Sequence, residues 1–154
     1  MPATNPQLNN LNEIIEETLL LYRDPHQNVT FEFEKRGDIP VFNLDRDQIK
    51  RAMINMIDNA LYAMRNDGAG KVTIETSYEP SLQMASIQVA DTGCGIPAEE
   101  KPKLFEPYFS TKKSGTGLGL AIVNSIITDH NGYIRVKNNY PKGTRFIIEL
   151  PIRV

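Results

Sequence analysis

The sequence predicts an α/β (α+β) two-layer sandwich, with one mixed sheet and helices packed on a single face. Three observations carry this expectation. Stretches with apolar residues at helical spacing are interleaved with stretches that alternate apolar and polar residues. The late strands come as adjacent pairs, KVTIETSY with LQMASIQVA and YIRVKNN with TRFIIELPI, a pattern that favours pairing between neighbours. The chain has 154 residues, 40% of them hydrophobic and 23% charged, which suits one buried core and is too short for two average domains.

Residues 1–7, MPATNPQ, are polar and interrupted by prolines, and predict a flexible lead ahead of a domain over 8–154. From Leu8 the spacing Leu8, Leu11, Ile14, Ile15, Thr18, Leu19, Tyr22 predicts a helix with one apolar face, stopped at Asp24-Pro25. VTFEFEK alternates Val29, Phe31 and Phe33 with polar residues and predicts a strand, with a short second strand through Val41 to Asn43. Asp45 or Asp47 caps the next helix, which runs to about Asn66 before the breaker DGAG. Its apolar face is Ile49, Met53, Met56, Ile57, Ala60 and Met64.

Two strands follow, joined by a turn at Glu79-Pro80-Ser81, and the second ends where DTGCGIP begins. Residues 98–116 have no sustained period beyond a short helical AEEKPKLF, and a segment of that length inside a compact domain suggests a functional loop such as a lid. LGLAIVNSIITDH then predicts a helix closed by Asn131-Gly132. The final two strands are joined through Tyr140-Pro141-Lys142-Gly143.

Charge and cysteine content exclude several classes. A net charge of -2 and a pI near 5.7 leave no electrostatic footprint for nucleic acid or an anionic membrane. A single cysteine, Cys94, rules out an internal disulfide framework and a cysteine zinc site, and fits a reducing cytosolic setting. No apolar run approaches the roughly 20 residues that span a bilayer.

Three constellations carry chemistry. Asn55 and Asn59, four residues apart in NMIDNALYA, project from nearly one side of their helix, displaced from the apolar face. Alone they read as a solvated flank; as a pair, their amide oxygens are neutral ligands that bridge a hard cation to phosphates. Asp91-Thr92-Gly93-Cys94-Gly95 sits where a strand stops. It reads either as a tight turn or as a site where a flat ligand approaches the backbone closely beside an accepting carboxylate. Gly115-Thr116-Gly117-Leu118-Gly119-Leu120 runs into a helix and presents unpaired N–H groups suited to phosphate, although no Gly-Lys-Ser/Thr closes it as in the Walker pattern; a structural hinge is the alternative.

In this order and spacing the three resemble the ATP-binding catalytic domain of sensor histidine kinases, in the superfamily of gyrase, the heat-shock chaperone ATPase and MutL. NMIDNALYA is similar to that family's N box, DTGCGIP to its first glycine box, FEPYFSTK to its F box, GTGLGLAI to its second glycine box and Lys142-Gly143-Thr144 to a last element. The resemblance covers residues 8–152, and within the family it points to nitrogen-regulation kinases of the NtrY type. It implies the Bergerat-type ATP-binding fold, with ATP and Mg2+ as cofactors.

It also implies a role for each matching position. Asp91 accepts from the adenine amino group, with Gly93, Gly95 and Ile96 forming the turn around the base. Asn59 holds magnesium against the phosphates, and Asn55 contacts phosphate. Gly115, Thr116, Gly117, Leu118, Gly119 and Leu120 close the end of a lid over about 96–116, Lys112 or Lys113 brings charge to the phosphates, and Thr144 lies near the pocket floor. Phe105 and Phe109 pack the lid base. Relatives that hydrolyse ATP carry a glutamate where this helix has Asn55, and an amide cannot serve as that general base.

A kinase of this type needs a phosphoacceptor histidine. His26 lies in a proline-flanked loop without the acidic residue that follows an acceptor, and His130 closes a helix where a C-terminal cation is structurally sensible. The resemblance therefore implies an acceptor on a dimerisation hairpin of the same kinase, absent from this chain, with residues 1–7 leading from it. The implied partners are that hairpin and, through it, a response regulator; nucleic acid and direct membrane contact are not implied. The implied location is cytoplasmic, as part of a kinase anchored elsewhere. The alternatives are an anti-sigma-factor-type serine kinase of the same fold and a nucleotide-free docking module.

Overall fold

The computed structural model describes residues 3–23, 28–107 and 119–152. The chain opens with strand β1 (Gln7–Asn9), helix α1 (Leu11–Leu19) and a 3-10 turn (Leu20–Tyr22). Strands β2 (Val29–Arg36) and β3 (Phe42–Leu44) precede the long helix α2 (Arg46–Ala63). The hairpin of β4 (Gly70–Glu79) and β5 (Met84–Asp91) leads through a 3-10 turn (Lys101–Lys103) to α3 (Gly119–Asp129) and to β6 (Tyr133–Asn138) and β7 (Thr144–Pro151).

The expected mixed sheet is present: among the described residues it has five strands in the order β2-β4-β5-β7-β6, with β2 parallel to β4 and every other pair antiparallel. Alternation along the strands sorts its two faces. Val72, Ile74 and Thr76 of β4 stand in register with Asp91, Val89 and Ile87 of β5, and Val89 and Ile87 with Phe146 and Ile148 of β7; all are buried. The intervening pair Glu75 and Gln88 is polar and partly exposed. Against the buried rows lie Leu11, Ile14 and Ile15 of α1, Ile49, Met53, Met56 and Ile57 of α2, and Val123, Ile126 and Ile127 of α3. Burying each such side chain stabilises the fold by about 1.5–3 kcal/mol.

The first helix begins at Leu11, three residues later than its apolar spacing suggested. Leu8 lies instead in β1, paired antiparallel with Asn43 of β3, and its side chain is 55% exposed. Asn10 caps the helix by accepting the Glu13 N–H at 3.2 Å. Thr4 and Asn5 are also bonded: the Thr4 hydroxyl donates to Gln48 and the Asn5 N–H donates to the Asp45 carboxylate at 2.8 Å.

Asp45, not Asp47, caps α2, its Oδ1 accepting the Gln48 N–H at 3.1 Å. At 18 residues α2 extends about 27 Å, so one helix carries both the core stripe and a separate exposed stripe. Glu17 of α1 ties down its start by pairing with Arg46 and with Lys50, the latter at 2.9 Å. No helix among the described residues is long and apolar enough to cross a membrane.

Candidate nucleotide site

Asp91 is the last residue of β5 and has the same parity as Ala85, Ile87 and Val89, so the pleat directs its carboxyl into the helix-side layer. It is 4% exposed. Oδ1 accepts two backbone N–H bonds, from Gly93 at 2.8 Å and from Thr144 at 3.3 Å. Oδ2 takes no hydrogen bond from another described residue. Burial pushes the carboxyl above the usual carboxylate range, against the two N–H groups, which pull it down; the nearby Asp67 charge adds to the rise. One buried oxygen is thus fixed and the other is left to accept.

The turn after Asp91 is clamped from both sides. The Cys94 N–H donates to the Ala63 carbonyl at 3.1 Å, and a Cβ on Gly93 would come within 2.6 Å of that same oxygen. On the other side Gly143, at φ +107, runs so close to Asp91 that a Cβ there would stand 2.8 Å from its carbonyl carbon and 3.0 Å from the Thr92 Cα. The Asn139 amide donates to the Asp91 carbonyl at 2.8 Å, and the Asn139 N–H donates to the Gly143 carbonyl at 3.0 Å. The end of α2, the β5 turn and the β6–β7 connection therefore meet around one carboxylate.

Of the residues singled out from sequence, Asp91, Gly93 and Thr144 come together through these bonds. Thr144 is 3% exposed and contributes its backbone N–H. Gly95, at φ +77, lies beside the Gly143 carbonyl. Ile96 and Leu120 are partly buried against the core. Asn55 and Asn59 are half-buried on the flank of α2 beside its core stripe, upstream of Ala63. The Asn55 amide donates to the Gly119 carbonyl at 3.3 Å, which sets the start of α3 beside it. The half-buried Asn59 amide bonds no other described residue.

Phe105 packs edge-on against Phe146 at 6.3 Å between ring centres. Lys112, Lys113, Gly115, Thr116, Gly117 and Leu118, with Phe109 and His26, lie outside the described residues.

Residues 44–154 match the family model described as histidine kinase-, DNA gyrase B-, and HSP90-like ATPase. The chain belongs to this ATPase family. Within it, the domain is 40% identical over 145 residues to the signal transduction histidine-protein kinase AtoS of Escherichia coli, covering 92% of this chain and 23% of that protein. It is 34% identical over 156 residues to the nitrogen regulation protein NtrY of Azorhizobium caulinodans, covering 99% of this chain and 20% of that one. The domain thus spans about a quarter or less of the length of these curated relatives. Among solved structures it resembles the nucleotide-free catalytic domain of histidine kinase ThkA, with a TM-score of 0.86, 35% identity and 97% of each chain covered. ThkA in complex with the response regulator TrrA matches with a TM-score of 0.80 and 33% identity, over 96% of this chain and 42% of that one.

The fold and the family make this an ATP-binding histidine-kinase catalytic domain. Sequence reasoning missed three contributors to its site: Asn139, the Ala63 carbonyl and the close approach of Gly143 to Asp91. Their signal was weak, since an asparagine in a strand-end turn and a glycine before a strand have many uses.

His130 differs from its expectation as a helix-end cation. It is 8% exposed, and its Nε2 accepts the Asp45 N–H at 2.9 Å. The ring proton is therefore on Nδ1, where it is donated to the Ile126 carbonyl at 2.8 Å. The ring joins the end of α3 to the cap of α2 as a neutral imidazole.

Proposed function

We propose that this domain binds Mg-ATP against α2 and the Asp91 turn and transfers the γ-phosphoryl group to a histidine on a dimerisation hairpin outside this chain. The observation that carries the reading is the divided Asp91 carboxylate. With Oδ1 held by two backbone N–H groups, Oδ2 is left to accept from a ligand. The adenine amino group is such a donor. Guanine has a carbonyl at that position, and two acceptors would face each other without a proton in a buried site.

The remaining roles follow from position along α2. The base sits at the level of Ala63, where the glycine turn docks, and the phosphates extend toward Asn59 and Asn55. Asn59 would hold the magnesium ion through its amide oxygen. The donor set fits: the amides are neutral, the Asn59 amide is uncommitted, and a hard cation bound mainly through substrate phosphates needs few protein ligands. Magnesium would supply charge neutralisation on the phosphates.

An amide at Asn55 cannot deprotonate water, so the γ-phosphate is kept for a nucleophile brought from the hairpin. The acceptor imidazole nitrogen forms the new P–N bond as the bond to the β–γ bridging oxygen breaks, and ADP leaves with that electron pair. Catalysis is positioning and charge compensation. The 96–116 segment, with Lys112 or Lys113, closes over the nucleotide, and a response regulator receives the phosphoryl group from the hairpin. The domain works in the cytoplasm.

The test is transfer in trans. With γ-labelled ATP and the separately produced hairpin of the same kinase, label appears on the hairpin histidine and none on this domain. Label on this chain, or an unlabelled hairpin beside a domain that binds ATP, would overturn the proposal.

A further inference from the structure

We infer that Arg51 is a further nucleotide-contacting residue, which recognises the terminal phosphate and so separates ATP from ADP. The inference rests on the proposed nucleotide site and adds to it a source of charge. A triphosphate brings several negative charges, and the half-buried asparagines of α2 bring none. A cation on the rim of α2 would add to the charge that magnesium supplies.

The cations near the described part of the site are largely committed. Arg46 and Lys50 pair with Glu17, and Lys142 pairs with Asp67 at 3.3 Å. Arg65 lies at the adenine end of α2, where its guanidinium stacks 3.8 Å from the centre of the Tyr62 ring and donates to the Tyr62 carbonyl at 2.8 Å. Among the described residues Arg51 is the cation of α2 with neither an ion pair nor a hydrogen bond. Asp47 stands four residues earlier, at a spacing that would allow a helix-surface pair, yet the two are not bonded.

Its position suits the phosphate end. Arg51 is one turn before Asn55, and Asn55 is one turn before Asn59, so the three share one side of the helix. The glycine turn that would meet the base docks at Ala63, two turns beyond Asn55 in the other direction. A nucleotide laid along α2 from Ala63 past Asn59 thus points its last phosphate toward Asn55 and Arg51. The start of α3 is at the same place, since the Gly119 carbonyl accepts from Asn55. From one turn away the long, exposed arginine side chain can present its planar fork of donors to phosphate oxygens.

The experiment compares ATP and ADP affinity, with magnesium, for the unaltered domain, Arg51→Ala, Arg51→Lys and Lys137→Ala, a control on strand β6 with the opposite parity to the core-facing Ile134 and Val136. Arg51→Ala is expected to weaken ATP about tenfold, the scale of one lost charge-assisted contact at an exposed site. ADP affinity should stay within about twofold. Arg51→Lys should recover part of the loss, and Lys137→Ala should match the unaltered protein. Thermal unfolding of each variant checks that the fold is intact. An ATP-to-ADP affinity ratio unchanged in Arg51→Ala, in a domain that binds ATP, overturns this inference alone. Failure of the unaltered domain to bind ATP overturns the nucleotide reading and this inference with it.

Discussion

Gly143→Ala should be among the most damaging single-methyl additions in this domain. The residue sits at φ +107, a region that L side chains rarely adopt, and its new Cβ would meet the Asp91 carbonyl carbon at 2.8 Å and the Thr92 Cα at 3.0 Å. Both obstacles are backbone, so neither can swing aside. Moving the β6–β7 connection away would relieve the clash but loosen two bonds: Thr144 N–H to Asp91 Oδ1 and the Asn139 amide to the Asp91 carbonyl.

Backbone strain of about 1–2 kcal/mol, with about 1 kcal/mol for each of the two weakened bonds, gives a loss of about 3–4 kcal/mol. In a domain of this size that lowers Tm by roughly 10 °C. Gly37→Ala is the matched control. Gly37 has φ +85 but no heavy atom within 4 Å of the added Cβ, so only strain of about 1 kcal/mol is expected. Urea denaturation of both variants measures the difference. If Gly143→Ala costs no more than Gly37→Ala, the close packing of the β6–β7 connection on Asp91 is not what holds this corner.

Two further outcomes follow from the same geometry. Because burial raises the Asp91 pKa in the fold, the unfolded chain releases this proton first as pH rises, and ionisation penalises folding from about pH 4 upward. Asp91→Asn should therefore gain stability relative to the unaltered domain as pH rises above about 4. A difference independent of pH in urea titrations would contradict the assigned burial effect. His130→Ala removes the acceptor of the Asp45 N–H and leaves a void between α2 and α3. It should cost about 2–4 kcal/mol, and a loss in thermal unfolding below about 1 kcal/mol would show that the imidazole bridge is dispensable.

The sequence made local features legible and long-range ones much less so. The apolar spacing from Ile49 to Met64 marked α2 and its buried face, and the alternation in KVTIETSY and LQMASIQVA marked β4 and β5, because each pattern repeats within one element. The early helix start failed where Leu8 continued the apolar spacing of α1. Its place was decided by pairing with Asn43, 35 residues away, which no local period reports.

The site divides the same way. Asp91 stood out by ending a strand before a glycine turn. The groups that fix its carboxylate and carbonyl, Thr144 N–H and the Asn139 amide, are 53 and 48 residues distant. Thr144 was placed near the pocket by resemblance, but its contribution comes through the backbone, a role that side-chain identity does not reveal. His130 misled for a related reason: a histidine at a helix end suits a cation, and the N–H that makes its Nε2 an acceptor comes from Asp45, on another element.

The most direct test of the account is calorimetric titration of ATP and of GTP, each with magnesium, into the unaltered domain and into Asp91→Asn. The account predicts that ATP binds and GTP does not. It also predicts that Asp91→Asn stays folded but loses ATP, because an amide that keeps its oxygen toward the Gly93 and Thr144 N–H groups turns its own donor toward the adenine amino group. Equal binding of the two nucleotides, or undiminished ATP binding by Asp91→Asn, would contradict it.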